Sequence, residues 1–551
     1  MKFRRAVLAV LAFVVSYEAA MNGDYISKVA MAAAFAVCYA VTSLRDYHMF
    51  QLNSYKPLGH IRWMGRNFST DYARRHLCAV LTLSFFIFNH WIFPNDSWRA
   101  VQTAGAFFVM QLFINWPQKA KKPLVYTSRV KRMLAVNALL TTLALIFSFQ
   151  TSPPLQAAAL SLWLICTPLL MLLTNALNSP VESYINRRYI ADARRMLGDM
   201  PYLTVIGVTG SYGKTSTKYF LQRLLSSKYN VLMTPGNFNT TLGVVRTIRE
   251  NMRPVHDVFI CEMGARYVGD VKEICDLVRP KYGVITSIGP QHLESFGTIE
   301  NVERTKFELV DTLPEDGAAF LNFDDWNIRR RVMDKTGGPK IVSYSISEDS
   351  CDYTAFWIKT DASGSSFMAV LPEGREVLFE TKLIGRHNVT NILAAIAAAD
   401  SLGVPLEDIV IAVRRLKPVP HRLQLLDRGD IIIIDDAYNS NASGARAALD
   451  VLGMFDGHKI LVTPGMVELG NAQDIYNRSF GEAAAGVCDY VVLVGERTSK
   501  GVLDGLRSQS FPGEKIFVVG NVDEAFSRIN AISAGGKRKV VLLENDLPDN
   551  Y

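Results

Sequence analysis

The sequence predicts an α-helical, multi-span membrane segment followed by two α/β domains, the first of the P-loop type and the second Rossmann-like. Three observations carry that prediction. Six apolar runs crowd the first 180 of 551 residues. From about residue 200, short β-branched runs alternate with helical stretches, the pattern of a parallel sheet. A glycine-rich turn, Gly210-Ser211-Tyr212-Gly213-Lys214-Thr215, joins the first of those β-branched runs to a helix. The expected domains are 1–180, 181–420 and 421–551, the last two parted at the proline-marked joint 417–421 (KPVPH).

The apolar runs are roughly 6–21, 26–44, 77–93, 101–116, 134–149 and 155–177, each approaching the ~20 residues that span a bilayer. The first is short and carries Glu18. A cleaved leader is its rival reading, and the five runs behind it favour an anchor. The runs account for an overall 49% hydrophobic content and a mean hydropathy of +0.12, high for a wholly soluble chain. The net charge of +7 matters less than its placement. Arg45, Lys56, Arg62, Arg66, Arg74 and Arg75 fall between runs two and three. Lys119, Lys121, Lys122, Arg129, Lys131 and Arg132 fall between runs four and five, and Arg187, Arg188, Arg194 and Arg195 follow run six. The other connections are short, as in Pro94-Asn95-Asp96. The positive-inside rule then puts both termini and the α/β domains on the cytoplasmic side of the inner membrane. These cations flank spans instead of forming a separate basic face, which argues against nucleic acid and for anionic lipid headgroups. Few charges lie inside the runs, so no transport pathway is expected. Asn89, His90, Asn115 and Asn137 read as capping or helix-contact residues. Seven cysteines show no CxxC pair or Cys/His cluster, so a reducing compartment without structural disulfides is expected.

In the soluble part, strands are expected at 204–208, 258–262, 283–287, 431–435, 460–463, 490–494 and 539–543. Helices are expected at 217–225, 301–313, 390–402 and 443–452. The turn after the first strand carries the most chemistry. Gly210, Ser211 and Gly213 let backbone N–H groups wrap phosphate oxygens, and the helix that follows adds its positive end. Lys214 can reach terminal phosphates, and the hydroxyls of Thr215 and Ser216 stand where Mg²⁺ and phosphate are held. The site therefore calls for ATP and Mg²⁺. Val208 occupies the position of a strict P-loop's first glycine, so the spacing is a variant.

Other candidates follow in chain order, each with a bland reading beside it. Glu262 closes a strand, where a second Mg²⁺ ligand belongs, or caps a helix. His292 follows Thr286-Ser287-Ile288-Gly289 and binds metal or phosphate, or is structural. Lys306, in ERTKFE, reads alone as a solvated helical face. Asn388 and Asn391 open an Ala-rich helix and either cap it or reach a base or ribose. Arg422 at the joint can meet a phosphate when two lobes close. Asp435 and Asp436, before Ala437-Tyr438-Asn439, form a nucleotide contact or merely a turn.

In this order the motifs TGSYGKTSTK, TPGNFNTTLGV, CEMGARYVGDV, HLESFGTIENVERTKFEL, GRHNVTNILAA, HRLQ, DDAYNSN and MVELG resemble the Mur ligases. These are ATP-dependent amide-forming enzymes of cell-wall peptide assembly, and the likeness is nearest to the branch that adds D-alanyl-D-alanine to a muramyl tripeptide. The resemblance covers about 200–470. It implies that Lys214 and Thr215 hold ATP phosphates and Mg²⁺, that Glu262 and His292 hold metal, and that Lys306 is carbamylated and supports a second Mg²⁺. It implies that Asn388 and Asn391 approach the base, that Arg422 and Asp436 contact phosphate and ribose, and that Asn237, Asn239 and Thr240 face the acyl substrate. Tyr438 and Asn439 are placed with the substrate on the same ground. Lys214, His292, Lys306 and Arg422 would then carry the catalysis.

Four departures stand against the family pattern. The soluble UDP-sugar domain is replaced by the apolar segment. His421 stands for a glycine before Arg422. Ala442 stands for a proline, and Thr463-Pro464-Gly465 for a Gly-Asp pair before Met466. Finally, 544–549 (ENDLPD) replaces a Lys-Gly-Ser-Arg type segment. The expected function is ATP-dependent carboxylate–amine ligation through an acyl phosphate, on a small-molecule or lipid-linked peptide with an amino acid or dipeptide as amine. A membrane-bound poly-γ-glutamate type of amide ligase, and a nucleotide-driven transporter or sensor, are the rivals.

Overall fold

The computed structural model of the protein describes residues 24–92, 97–115, 122–333, 337–438, 441–533 and 535–546. The apolar run 6–21 with Glu18, the turn 94–96, Lys119, Lys121, Asn439 and 547–549 of the terminal segment lie outside them. The chain divides into two compact units, one ending at Asn186 and the other starting at Arg187.

The first unit is helical. The five remaining apolar runs fall on helices Asp24–Leu52, Arg74–Ile92, Ser97–Ile114, Ser128–Phe149 and the pair Pro153–Ile165 and Thr167–Gly198. The pair is bent by 67°. Pro168 explains the break, because it has no N–H to give the Leu164 carbonyl, and the Thr167 hydroxyl takes up that carbonyl instead. Among the described residues, Lys28–Leu52 and Ser128–Phe149 are long and apolar enough to cross a membrane, and the bent pair makes a third if it is one span. The count covers the described residues alone, and the first of the six expected runs lies outside them. Phe35, Cys38, Phe108, Leu160 and Leu164 pack between the helices. Leu139, Leu143, Ile146 and Phe147 on one helix, with Leu162, Leu169, Leu173 and Leu177 on the bent pair, leave apolar surface exposed.

Two of the cations between the runs are paired with acids. Arg75 is buried, with its guanidinium 2.8 Å from Asp46 and 2.9 Å from Asp71. Arg132 likewise bonds Glu182 at 2.6 Å. A buried cation needs such partners, because stripping its water is costly. Asn115 donates to Thr42 at 2.8 Å and Asn137 accepts from Tyr39 at 2.8 Å, so both are helix-contact residues.

The second unit holds two sheets. The first has nine strands in the order β2-β3-β1-β4-β5-β6-β7-β8-β9. They are β1 Thr204–Thr209, β2 Val231–Met233, β3 Val258–Glu262, β4 Tyr282–Ile285, β5 Ala318–Asn322, β6 Lys340–Ser345, β7 Tyr353–Asp361, β8 Gly364–Leu371 and β9 Arg375–Thr381. Pairing is parallel through β7 and antiparallel beyond it. Ala394, Ala395, Ile396, Ala397, Ala398 and Ala399 of helix Arg386–Ser401 are fully buried against one face with Val208, Ile260 and Phe320. The second sheet runs β10-β11-β15-β12-β13-β14, with β10 Gln424–Asp427, β11 Ile431–Asp436, β12 His458–Thr463, β13 Tyr490–Val494, β14 Ile516–Val519 and β15 Lys539–Glu544. All its pairs are parallel except β10 with β11. All seven cysteines are free thiols.

Candidate active site

The carboxyl edge of the first sheet, where β1, β3 and β4 end side by side, builds the site. After Thr209 the chain turns through Gly210 and Gly213, both at positive φ (148° and 79°). A Cβ on Gly210 would lie 2.1 Å from the Thr286 hydroxyl, and one on Gly213 would lie 2.5 Å from Asn391 Oδ1, so neither place admits a side chain. Helix Lys214–Leu225 starts at once, with Gly213 as its cap. Residues past β4 brace the turn. The Ser211 N–H donates to the Ser287 carbonyl at 2.8 Å and the Tyr212 N–H to Ser287 Oγ at 2.8 Å. Ser211 Oγ accepts from the Gly289 N–H at 2.9 Å. Strand β4 ends at Ile285, so Thr286 and Ser287 belong to this brace and not to the strand expected at 283–287.

Lys214 folds its ammonium back onto the Gly210 and Ser211 carbonyls. Burial pushes its pKa down to about 8, and nearby Arg422 adds to the effect against Glu262. The Thr215 hydroxyl donates to Glu262 Oε1 at 3.1 Å, and Asn239 Nδ2 donates to the same oxygen at 3.1 Å. Glu262 is 1% exposed and is balanced by Lys218, whose Nζ lies 2.8 Å from Oε2. Sequence reasoning missed Lys218. Its only signal was a lysine one helical turn beyond Lys214. Thr240 caps helix Thr241–Asn251 through the Gly243 N–H. Asn237 lies beside the Tyr438 hydroxyl of the second sheet's domain.

Two adjacent oxygen donors, Thr215 and Glu262, form a hard-oxygen pair of the kind Mg²⁺ takes beside phosphate oxygens and water. Among the described residues no group of three His, Cys, Asp or Glu side chains is disposed around a metal position. His292, at φ 53°, instead bonds Glu468 of the MVELG motif, which also meets Arg266 at 3.2 Å. Burial lowers the His292 pKa against the pull of Glu468. Lys306 lies 2% exposed in helix Ile299–Thr312, so the solvated-face reading fails. Burial pushes its pKa well down, helped by the charge of Lys214.

Asn388 and Asn391 lie inside helix Arg386–Ser401, which starts earlier than expected and is capped by Gly385. Neither asparagine is the cap. Asn388 donates to the Ile384 carbonyl at 2.8 Å, and Asn391 Oδ1 accepts from Thr217 at 3.3 Å. Asn388 also lines a cleft with Ser216, Phe220, Ile384, Val419 and Arg422. Arg422 sits 4.5 Å over the Tyr438 ring. Asp436, pushed up to about 6 by burial against the charge of Arg422, accepts from the Leu423 N–H at 3.2 Å. Asp435 accepts from the Ala437 N–H at 3.2 Å and pairs with His421 at 2.8 Å, as a turn residue does.

The departures acquire physical reasons. His421 sits at φ 60°, the region where glycine costs nothing and a histidine is strained. Ala442 opens helix Ala442–Gly453, capped by Asn441, a position that suits proline but tolerates alanine. The departing segments meet. Thr463 donates to Glu544 at 2.8 Å, and Asn545 donates to the Gly465 carbonyl at 2.7 Å.

The Mur ligase middle domain matches residues 208–399, and the Mur ligase glutamate ligase domain matches 421–544. The chain is 34% identical over 334 residues to the UDP-N-acetylmuramoyl-tripeptide–D-alanyl-D-alanine ligase of Escherichia coli, covering 58% of this chain and 72% of that protein. It superposes on MurF from Acinetobacter baumannii with a TM-score of 0.58 at 29% identity, covering 65% of this chain and 77% of that one. MurF ligase from Thermotoga maritima, solved in complex with ADP, gives a TM-score of 0.58 at 25% identity, covering 65% and 80%.

Proposed function

The chain belongs to the Mur ligase family, and from that premise we propose that it joins a carboxylate to an amine at the expense of ATP in peptidoglycan peptide synthesis. One observation carries the reading. At the carboxyl ends of β1 and β3, Arg422 and Tyr438 of the other lobe come within electrostatic reach of Lys214 and Glu262, and Glu468 of that lobe bonds His292 and Arg266.

Amide formation in water is uphill, so the carboxylate must first be phosphorylated. Lys214 and the N–H groups at the start of helix Lys214–Leu225 bind the phosphates that supply the group. Thr215 and Glu262 would hold Mg²⁺, which offsets phosphate charge when bound. Arg422, steadied on Tyr438, approaches from the opposite lobe and shields the acyl phosphate from water as the lobes close. The apolar walls of the cleft at Phe220, Ile384 and Val419 suit a base, with Asn388 at its edge. Asp436 is the ribose contact. The 234–240 loop, with Asn237, Asn239 and Thr240, faces the acyl substrate together with Tyr438. His292 serves here as the tie between lobes through Glu468. Lys306 is the carbamylated lysine. Its buried, easily neutral amine can add to CO₂ with loss of a proton, as an exposed ammonium cannot.

The acceptor is a muramyl-peptide carboxylate and the amine a D-alanyl-D-alanine type of dipeptide, by likeness to the E. coli relative's name. The family match begins at residue 208, so the helical unit is an addition. Its exposed leucines and long apolar helices support insertion in the cytoplasmic membrane with the ligase domains inside. A lipid-linked acceptor is then within reach.

Carbonate-washed membranes carrying the full chain test these points together. Phosphate release from Mg²⁺-ATP should need both an acceptor and an amine, and a product heavier by one amide condensation should form. The lipid-linked acceptor should outperform its UDP-linked form, and Lys214→Ala should abolish release. Activity lost to the carbonate supernatant would contradict the membrane reading. Release indifferent to every amine would contradict the ligase reading and favour a nucleotide-driven membrane machine.

A further inference from the structure

Lys218 is fully buried, yet it belongs to no part of the reaction described above. Its ammonium donates to the Gly236 carbonyl at 2.7 Å and lies 2.8 Å from Glu262 Oε2. It therefore touches two segments at once from the phosphate-binding helix. One is the end of β3. The other is the 234–240 loop, whose Thr234 N–H bonds the Ile260 carbonyl and whose Asn239 carbonyl accepts from the Gly264 N–H at 2.7 Å.

The carboxylate of Glu262 is divided by this arrangement. Oε2 goes to Lys218, while Oε1 is turned to the Thr215 hydroxyl and Asn239 Nδ2. The Glu262 N–H is fixed on Thr234 Oγ1 at 3.1 Å. A buried carboxylate with one partner removed is costly to keep ionised. A buried lysine without its carboxylate is equally costly. Each thus requires the other, and the pair determines which oxygen faces the phosphate turn.

We propose that Lys218 is a positioning residue that couples the nucleotide site to the acyl-substrate loop, holding Glu262 with Oε1 toward Thr215 and Asn239 and pinning the loop through Gly236. The role given to the loop rests on the ligase reading. The coupling itself can be measured without turnover.

Two readouts on the detergent-purified full chain test it. In Lys218→Met, which fills the volume without the charge, amide exchange across 237–240 should quicken at least tenfold. ADP affinity without Mg²⁺ should stay within about twofold of the parent, while the gain in affinity on adding Mg²⁺ should disappear. If that variant does not fold, Lys218→Met/Glu262→Gln removes the unpaired charge. Its loop should still exchange fast, because the Gly236 carbonyl has lost its donor. Parent-like loop exchange in either folded variant, or an undiminished Mg²⁺ effect in Lys218→Met, would overturn the proposal. Neither readout needs an acceptor or an amine, so failure here is separable from failure of the ligase reading.

Discussion

At the scale of single residues, Lys214 makes the sharpest claim. Its folded pKa of about 8 lies below the ordinary 10.5 because burial disfavours the ammonium. Two pH effects of opposite sign follow. Without nucleotide, the unfolded chain binds more protons between about pH 8 and 10.5, so this lysine's contribution to stability rises with pH there. Phosphate needs the charged form, so nucleotide affinity falls above pH 8. At pH 9 roughly a tenth of the lysine is protonated, and ADP binding measured by calorimetry should be about tenfold weaker than at pH 7. Affinity flat to pH 9 would contradict a phosphate-binding ammonium with a lowered pKa, and Lys214→Ala measured alongside separates loss of the ligand from an unshifted one. Lys214, Thr215 and Glu262 were legible in the sequence because a turn of fixed spacing and an acid at a strand end carry their meaning locally. Lys218 and Glu468 were not. Their partners lie 44 and 176 residues away, and no local pattern announces an ion pair made by folding.

At the scale of elements, the parallel strands β1, β3, β11, β12, β13 and β15 fall at the expected β-branched runs, since strands buried on both faces read as continuous apolar stretches. The antiparallel extension β7–β9 went unread. Its strands alternate buried and exposed positions, and the ladder is interrupted between Phe356 and Lys359, where Trp357 sits at φ 49°. Such a half-polar, bulged hairpin gives a weak signal in composition. The helical unit was legible in its apolar runs but not in its breaks, because the turn at Cys166 depends on Pro168 and on which carbonyl Thr167 can reach. The element with the clearest functional consequence is the MVELG turn after β12. It is held at Glu468, itself at φ 63°, by His292 and Arg266 across the lobes. Glu468→Ala should leave ADP affinity within about twofold and reduce kcat by tenfold or more, because the contact closes the lobes and touches no phosphate. An equal loss in both would place Glu468 in the nucleotide site.

At the scale of the whole molecule, the two Mur ligase domains at 208–399 and 421–544 follow a helical unit that ends at Asn186. The nucleotide-handling face keeps the family pattern, whereas the departures gather in the C-terminal domain, where 463–465 and 544–545 contact one another. The phosphate turn with Thr215 and Glu262 lies apart from those departures, so the activation step rests on residues that follow the family motifs. The activation step is accordingly the central claim, and isotope transfer tests it most directly. An acceptor whose carboxylate carries ¹⁸O would be converted by the full-length protein with Mg²⁺-ATP and amine, and the released phosphate analysed by mass. An acyl phosphate leaves one acceptor oxygen in each phosphate, so the phosphate should carry one ¹⁸O for every amide formed. Phosphate free of the label, with its oxygen drawn from water, would mean that ATP is hydrolysed without activating the carboxylate and would contradict the account.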